Sequence, residues 1–295
     1  MPADFHVTEL SPATSAYLQP PGGWFRNNAG WITGRERMLL VDTCATEARS
    51  RRLLETARGS SSAALSAVLT HAHGDHSNGA RLVAEAGGDV LASAEAARTI
   101  GTGPHLFPEV FVYSGWGEIG PPRITGTVGE PTRLDLGGRT AEIVPVAGTA
   151  HTDGDLVVWV PEDGVLFSGD LIFNGVTPLA LHGRISGWLE ALTALSGFDA
   201  RHLVPGHGEL TAPAEAIAAV SEYLRWLLDS AAADRPDFAA LERQGRQRWP
   251  GWLDQERHAA NLRLAHAEVH GNPPDLEAAL AAMLRSAGGP IHLDL

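Results

Sequence analysis

The chain has 295 residues, 44% of them hydrophobic and 19% charged, which excludes a disordered chain and provides for one or two domains with a full core. Its 22 basic against 35 acidic residues leave a formal charge of −13, which repels a phosphate backbone and argues against nucleic acid as a partner. The single cysteine, Cys44, excludes a disulfide framework and fits a reducing, cytoplasmic compartment. Met1 to His6 has neither the basic nor the apolar stretch of an export signal, and no apolar run reaches the roughly 20 residues that a membrane span needs.

In chain order, Trp31 to Thr33 and Met38 to Asp42 read as strands joined by a turn over Gly34 to Arg37. Ala45 to Arg58 reads as a helix with Leu53, Leu54 and Ala57 on one face, and Arg49, Arg51 and Arg52 on a solvated one. Leu65 to Thr70 is a short apolar run and so a buried strand. Asp75 to Ala86 reads as one helix closed by Gly87 and Gly88, followed by a strand over Asp89 to Ala92. Gly101 to Gly138 is rich in Gly, Pro and aromatics and reads as a long functional loop with one hairpin. Strands follow at Thr140 to Val146, Leu156 to Val160, Val165 to Phe167 and His202 to Val204, with a helix over Trp188 to Leu195. From Ala212 the chain turns to Ala, Leu, Glu and Arg, with helices expected at Pro213 to Ala232, Asp237 to Arg248, Gln255 to His270 and Asp275 to Ser286. The division expected is therefore a strand-rich domain over residues 1–211 and a helical region over 212–295.

Five of the 13 histidines fall in three short places, each after a strand. Thr70-His71-Ala72-His73-Gly74-Asp75-His76 puts four imidazoles or carboxylates in six residues at a strand end. Buried groups of this kind are costly unless they are paired or hold a metal. His71 and His73, two apart, can face one ion, while Asp75 and His76 sit a turn further on and can face a second. Gly148 to Gly154 brings His151, Phe167-Ser168-Gly169-Asp170 brings Asp170, and Val204-Pro205-Gly206-His207-Gly208 brings His207. Ligands collect at the strand ends of open α/β sheets. Imidazole and carboxylate without cysteine suit zinc, and also manganese or iron.

With these residues in view, the sequence resembles the metallo-β-lactamase superfamily over roughly Asn27 to Leu210, through His71-x-His73-x-Asp75-His76, then His151, Asp170 and His207 in order. The resemblance implies an α/β fold: an αββα sandwich of two mixed sheets with outer helices, followed by the C-terminal helical segment. It implies that His71, His73 and His151 hold one metal, that Asp75, His76 and His207 hold a second, and that Asp170 bridges them. Two zinc ions are expected, with iron or manganese as alternatives, and Asp75 is expected to orient the nucleophile and shuttle its proton.

The Ser168-Gly169-Asp170-Leu171 and Val204 to Gly208 contexts look most like the glyoxalase II-like and quinoprotein-relay-like branch. That implies hydrolysis of a small-molecule ester, lactone or thioester. An iron-dependent oxidoreductase of the persulfide dioxygenase type and a non-hydrolytic cyclase remain alternatives on the same fold. His182, Asn174, Tyr113 and Trp116 are candidate substrate contacts, and Thr70 is a candidate support for His71. The helices carrying Trp226, Trp249 and Trp252 suit either a cap over an apolar acyl group or a homodimer interface. His266 and His270, four apart, read as a solvated or interface face.

Overall fold

The computed structural model describes residues 4–295; residues 1–3, part of the segment read above for an export signal, lie outside it. The chain opens with β1 (His6–Glu9) and β2 (Thr14–Leu18), an antiparallel pair absent from the sequence reading. β3 (Ala29–Thr33), β4 (Arg37–Val41), α1 (Glu47–Arg58) and β5 (Ala64–Val68) follow as expected within one or two residues. Thr46 caps α1, its side chain accepting from the Arg49 amide.

The helix expected over Asp75 to Ala86 is instead two pieces, α2 (Gly74–Ser77) and α3 (Ala80–Glu85). The break has a tertiary cause. Asn78 Nδ2 donates to the Ala45 carbonyl at 3.0 Å, the Gly79 amide donates to Thr43 Oγ1 at 3.1 Å, and a Cβ at Gly79 would collide with Ser50 Oγ.

β6 (Asp89–Ala92) and α4 (Ala94–Ile100) come next, then β7 (Phe111–Val112), β8 (Gly126–Thr127) and β9 (Thr132–Asp135). These three short strands do not form the single hairpin expected of this stretch. β8 pairs with β6 and β9 with β10 (Thr140–Pro145). β11 (Leu156–Val160), β12 (Val165–Phe167), α5 (Ile185–Leu195) and β13 (His202–Val204) complete the strand-rich part. The remaining elements are α6 (Pro213–Ser230), α7 (Phe238–Arg248), α8 (Arg257–Val269), α9 (Leu276–Ala287) and β14 (Ile291–His292), which lies parallel to β7.

Two mixed sheets result, ordered β1-β2-β3-β4-β5-β6-β8 and β13-β12-β11-β10-β9. Side-chain alternation explains why both are covered on two faces. In β4, Leu39 and Val41 join Ile143, Val158 and Phe167 of the second sheet, whereas Met38 and Leu40 join Leu53 of α1 and Val83 of α3. In β12, Val165 and Phe167 face the first sheet while Leu166 faces Trp188 of α5 and Leu224 of α6. Each fully buried side chain of this size contributes roughly 1.5–3 kcal/mol. The expected αββα sandwich with C-terminal helices is the observed fold.

α6 packs on α5 in the same cluster that takes in Trp249 and Leu262. Arg49 departs from its expected solvated face. It is 5% exposed, with Nη1 donating to Gln19 Oε1 at 2.6 Å and Nη2 to Asp4 Oδ1 at 2.8 Å. Among the described residues no helix is long and apolar enough to cross a membrane.

Candidate metal centre

Both sheets deliver their polar residues to one edge. β5 runs through Leu69 and Thr70 into His71, and His73 forms the N-cap of α2, whose first turn holds Asp75 and His76. His151 lies in the loop between β10 and β11. Asp170 follows β12 in a single 3-10 turn, and His207 follows β13. Gly206 is needed here, because a Cβ would collide with Asp170 Oδ1.

His73 Nδ1 lies 3.0 Å from both His71 Nε2 and His151 Nε2. Asp75 Oδ2 lies 3.2 Å from His207 Nε2 and 4.0 Å from His76 Nε2. Asp170 stands between the two groups. Its Oδ2 is 3.7 and 3.4 Å from His71 and His151 Nε2, and its Oδ1 is 3.0 and 3.5 Å from His76 and His207 Nε2. The seven side chains thus form two donor sets, His71, His73, His151 with Asp170, and Asp75, His76, His207, the donor atoms of each lying within 4.8 Å of one another.

The outer nitrogens set the tautomers. Thr70 Oγ1 donates to Asp42 Oδ2 at 2.8 Å and so accepts from His71 Nδ1 at 3.0 Å. His76 Nδ1 donates to Asp42 Oδ2 at 2.8 Å, and His207 Nδ1 to the Gly22 carbonyl at 2.9 Å. His73 Nε2 meets His182 Nδ1 at 2.9 Å. With these outer protons placed, the inward nitrogen of His71 presents a lone pair, and those of His76 and His207 do so once a cation takes the place of their second proton.

The residues fit a metal pair. Three ring nitrogens crowd together at 3.0 Å, an arrangement that lone pairs resist and a cation relieves. His76 Nε2 and Asp170 Oδ1 are buried at 3.0 Å from each other, yet neither has a hydrogen bond of acceptable direction. Two polar atoms placed so, facing a common point, are what coordination requires. The donor set, imidazole and carboxylate only, suits zinc, manganese or iron.

Electrostatics separate the two sets. Burial holds His71, His73 and His151 well below the usual imidazole range, and their mutual repulsion adds to it. For His207, burial opposes the charge, but Asp170 and Asp75 outweigh it and lift the ring to about 9. His76 is likewise raised against burial, by Asp170, Asp42 and Asp75. Asp75 and Asp170 are lowered: burial opposes their charge, and the neighbouring His76 and His207 prevail.

Above the metal centre lies a pocket of about 620 Å³, its open mouth included. Of the four candidate substrate contacts, His182 lines it and Asn174, Tyr113 and Trp116 do not. Asn174 Nδ2 donates to the Glu209 carbonyl at 2.7 Å and its amide to the His207 carbonyl at 2.9 Å, so it braces the His207 loop. Tyr113 packs edge-on to Trp116 and its hydroxyl reaches the Leu295 carbonyl at 3.3 Å, which pins the loop. Phe107, Val110 and Phe111 of that loop line the pocket in their place. Trp226 and Trp249 lie in the interior beside Tyr223 and His258, away from the pocket. His266 Nδ1 bonds the Ala231 carbonyl at 3.0 Å.

Sequence reasoning left Asp42 without a role. Its only signal was a carboxylate ending the strand next to the one that carries His71. Its backbone is left-handed, with φ of 63°, a conformation that Asp tolerates better than most residues.

Residues 22–207 match the family described as the Metallo-beta-lactamase superfamily. A lactamase-like protein, ptaB, of Pestalotiopsis fici is 26% identical over 209 residues, 69% of this chain and 58% of that protein. A hydroxyacylglutathione hydrolase of Erythrobacter litoralis is 30% identical over 105 residues, 35% of this chain and 32% of that protein. The chain therefore spans less than two thirds of either curated relative. Among solved structures, a metallo-beta-lactamase from Pontibacter korlensis superposes with a TM-score of 0.62 at 20% identity, over 75% of this chain and 99% of that one. One from Hirschia baltica does so with a TM-score of 0.59 at 18% identity, over 75% and 98%. At such identities the likeness concerns the fold.

Proposed function

Because the chain belongs to the metallo-β-lactamase superfamily, we propose that it is a dinuclear zinc hydrolase that cleaves a small-molecule ester, lactone or thioester. The observation that carries the reading is Asp170, which presents one carboxylate oxygen to each donor set. The stretch similar to a hydroxyacylglutathione hydrolase supports including thioesters among the substrates.

His71, His73, His151 and Asp170 would hold one ion, and Asp75, His76, His207 and the same Asp170 the other. Bound there, the pair supplies Lewis acidity toward an acyl oxygen and acidifies a water. The chain's own residues do the rest. Burial keeps the first three imidazoles neutral, so their lone pairs face inward. Asp42 fixes His76 and, through Thr70, His71. Asp75 lines the pocket at the donor sets, where its carboxylate would orient the attacking water and take its proton. Water adds to the acyl carbon, the bond to the leaving oxygen or sulfur breaks, and the leaving group takes a proton. The products are a carboxylic acid and an alcohol or thiol. The apolar walls keep bulk water from the reacting carbon.

Elemental mass spectrometry tests the reading, with hydrolysis of simple thioesters, lactones and aryl esters measured beside it. The expected result is about two zinc ions per chain, activity lost to a chelator and regained with zinc, and both lost in Asp170→Ala. One iron per chain with oxygen uptake, or a metal-loaded protein inert toward every activated acyl substrate, would overturn it.

A further inference from the structure

The pocket's chemistry is lopsided. At one end stand the metal-facing His73, Asp75, His151, Asp170 and His207; its walls are otherwise almost wholly apolar. Trp24, Phe25 and Phe173 come from the sandwich, Phe107 and Phe111 from the long loop, and Leu280 and Met283 from α9. Phe111 packs edge-on to both Trp24 and Phe25, at 4.8 and 5.0 Å between ring centroids, so this wall is a fixed surface.

The lining contains one permanent cation, Arg257, and it is committed elsewhere. Nη1 donates to the Thr177 carbonyl at 2.8 Å, Nη2 lies 2.8 Å from Asp254 Oδ2, and the guanidinium stacks over Trp24 at 3.8 Å. His105 at the rim is bound to the Thr99 carbonyl at 3.0 Å. Of Arg257 only Nε lacks a partner, and Asp254 balances its charge, so the walls hold no unpaired permanent cation away from the donor sets.

We propose that the acyl portion of the substrate is uncharged, apolar and ring-bearing, that it occupies this pocket, and that Leu280 and Met283 of α9 set the size it accepts. The assignment rests on the hydrolase reading for its chemistry and on the pocket alone for its specificity. An aromatic ring suits the walls because five aromatic side chains surround the space and offer edges and faces to a sixth. The leaving group lies toward the open mouth, where His182 stands exposed, and is the less discriminated half. The C-terminal helices thus enter the site through α9 and through Arg257 at the start of α8, rather than through Trp226 of α6 and Trp249 after α7.

Two measurements on the zinc-loaded full chain test this. Calorimetric titration compares phenylacetate, acetate and succinate, the carboxylate contribution being common to all. Phenylacetate should bind at least about tenfold tighter than either of the others. Phenylacetyl, acetyl and succinyl thioesters of one thiol should rank the same way in kcat/KM. Leu280→Trp, at a half-buried position, should lower the phenylacetyl-to-acetyl ratio about tenfold, and Met283→Ala should move the optimum to a larger ring. Equal binding of the three acids, a preference for succinyl, or a ratio unmoved by Leu280→Trp in a variant that retains its zinc overturns the assignment. Tight phenylacetate binding without turnover of any thioester upholds the pocket and removes the hydrolase reading instead.

Discussion

Asp42 shows how much one side chain outside the metal-facing set can govern. One carboxylate receives the Thr70 amide at 2.7 Å, the Thr70 hydroxyl at 2.8 Å and the His76 ring at 2.8 Å. It therefore orients one histidine of each donor set and fixes their tautomers. Outer partners of this kind are worth roughly 10–100-fold in metal affinity. Asp42→Asn keeps the left-handed backbone accessible, removes the charge and turns one of the two acceptor oxygens into a donor facing Thr70 or His76. Zinc affinity measured against a competing chelator should fall by about that factor, with the far-ultraviolet spectrum unchanged. Unaltered affinity would reduce Asp42 to a turn residue. The seven clustered residues were legible in the sequence because their types are rare together and they fall in short segments that follow strands. The roles of Asp42 and of His182, which meets His73, were not. They depend on which strands become neighbours and on a loop folding back over the β10–β11 turn.

Among the elements, β6, β11, β12 and β13 match the sequence reading residue for residue, since each is an apolar run bounded by turn residues. Apart from the buried β2, those that escaped it lack that signature. β1 is mostly exposed and polar, β14 and β7 have two residues each, and the division between α2 and α3 is imposed by Ser50 and Ala45 from another helix and its approach. The α6–α8 layer carries its own chemical liability. His258 is fully buried against Trp226, Trp249 and Tyr223, and its Nδ1 accepts from the Tyr223 hydroxyl at 3.0 Å. Burial, with the Arg246 cation nearby, pushes it down to about 4. The folded state thus refuses a proton that the unfolded state takes up below pH ~6.5. Stability present above that pH is lost as it falls toward 4, by roughly 2–3 kcal/mol. Urea midpoints should drop more steeply over pH 6.5 to 4.5 in the natural protein than in His258→Gln. Parallel curves would show that the histidine does not govern the decline.

At the scale of the whole molecule, the pocket is a joint construction. The sandwich supplies the metal-facing residues, while the wall opposite them is sewn together by β14 lying along β7 and by Arg26, whose Nε and Nη2 donate to the Asp294 carbonyl at 2.9 and 2.6 Å. Removing residues 289–295 should leave zinc content intact and raise KM for a ring-bearing acyl substrate several-fold, as the Phe107–Phe111 wall loses its partner. An unchanged KM would mean that the loop holds its shape without the strap. The 22 cationic side chains in the chain, all arginine, are outnumbered by 35 acidic ones, so the net charge disfavours the approach of an anionic substrate.

The β7–β14 pairing also puts the assembly of the protein in order of time. Every donor to the metal centre precedes residue 208, whereas Ile291 must find Phe111 across most of the chain. Synthesis delivers the chain from its N-terminus, so every donor is available before residues 289–295 are. A chain emerging from the ribosome can bring its seven donor residues together while the pocket is still one wall short. The donor sets can therefore be complete, in the life of each molecule, before the far wall of the pocket.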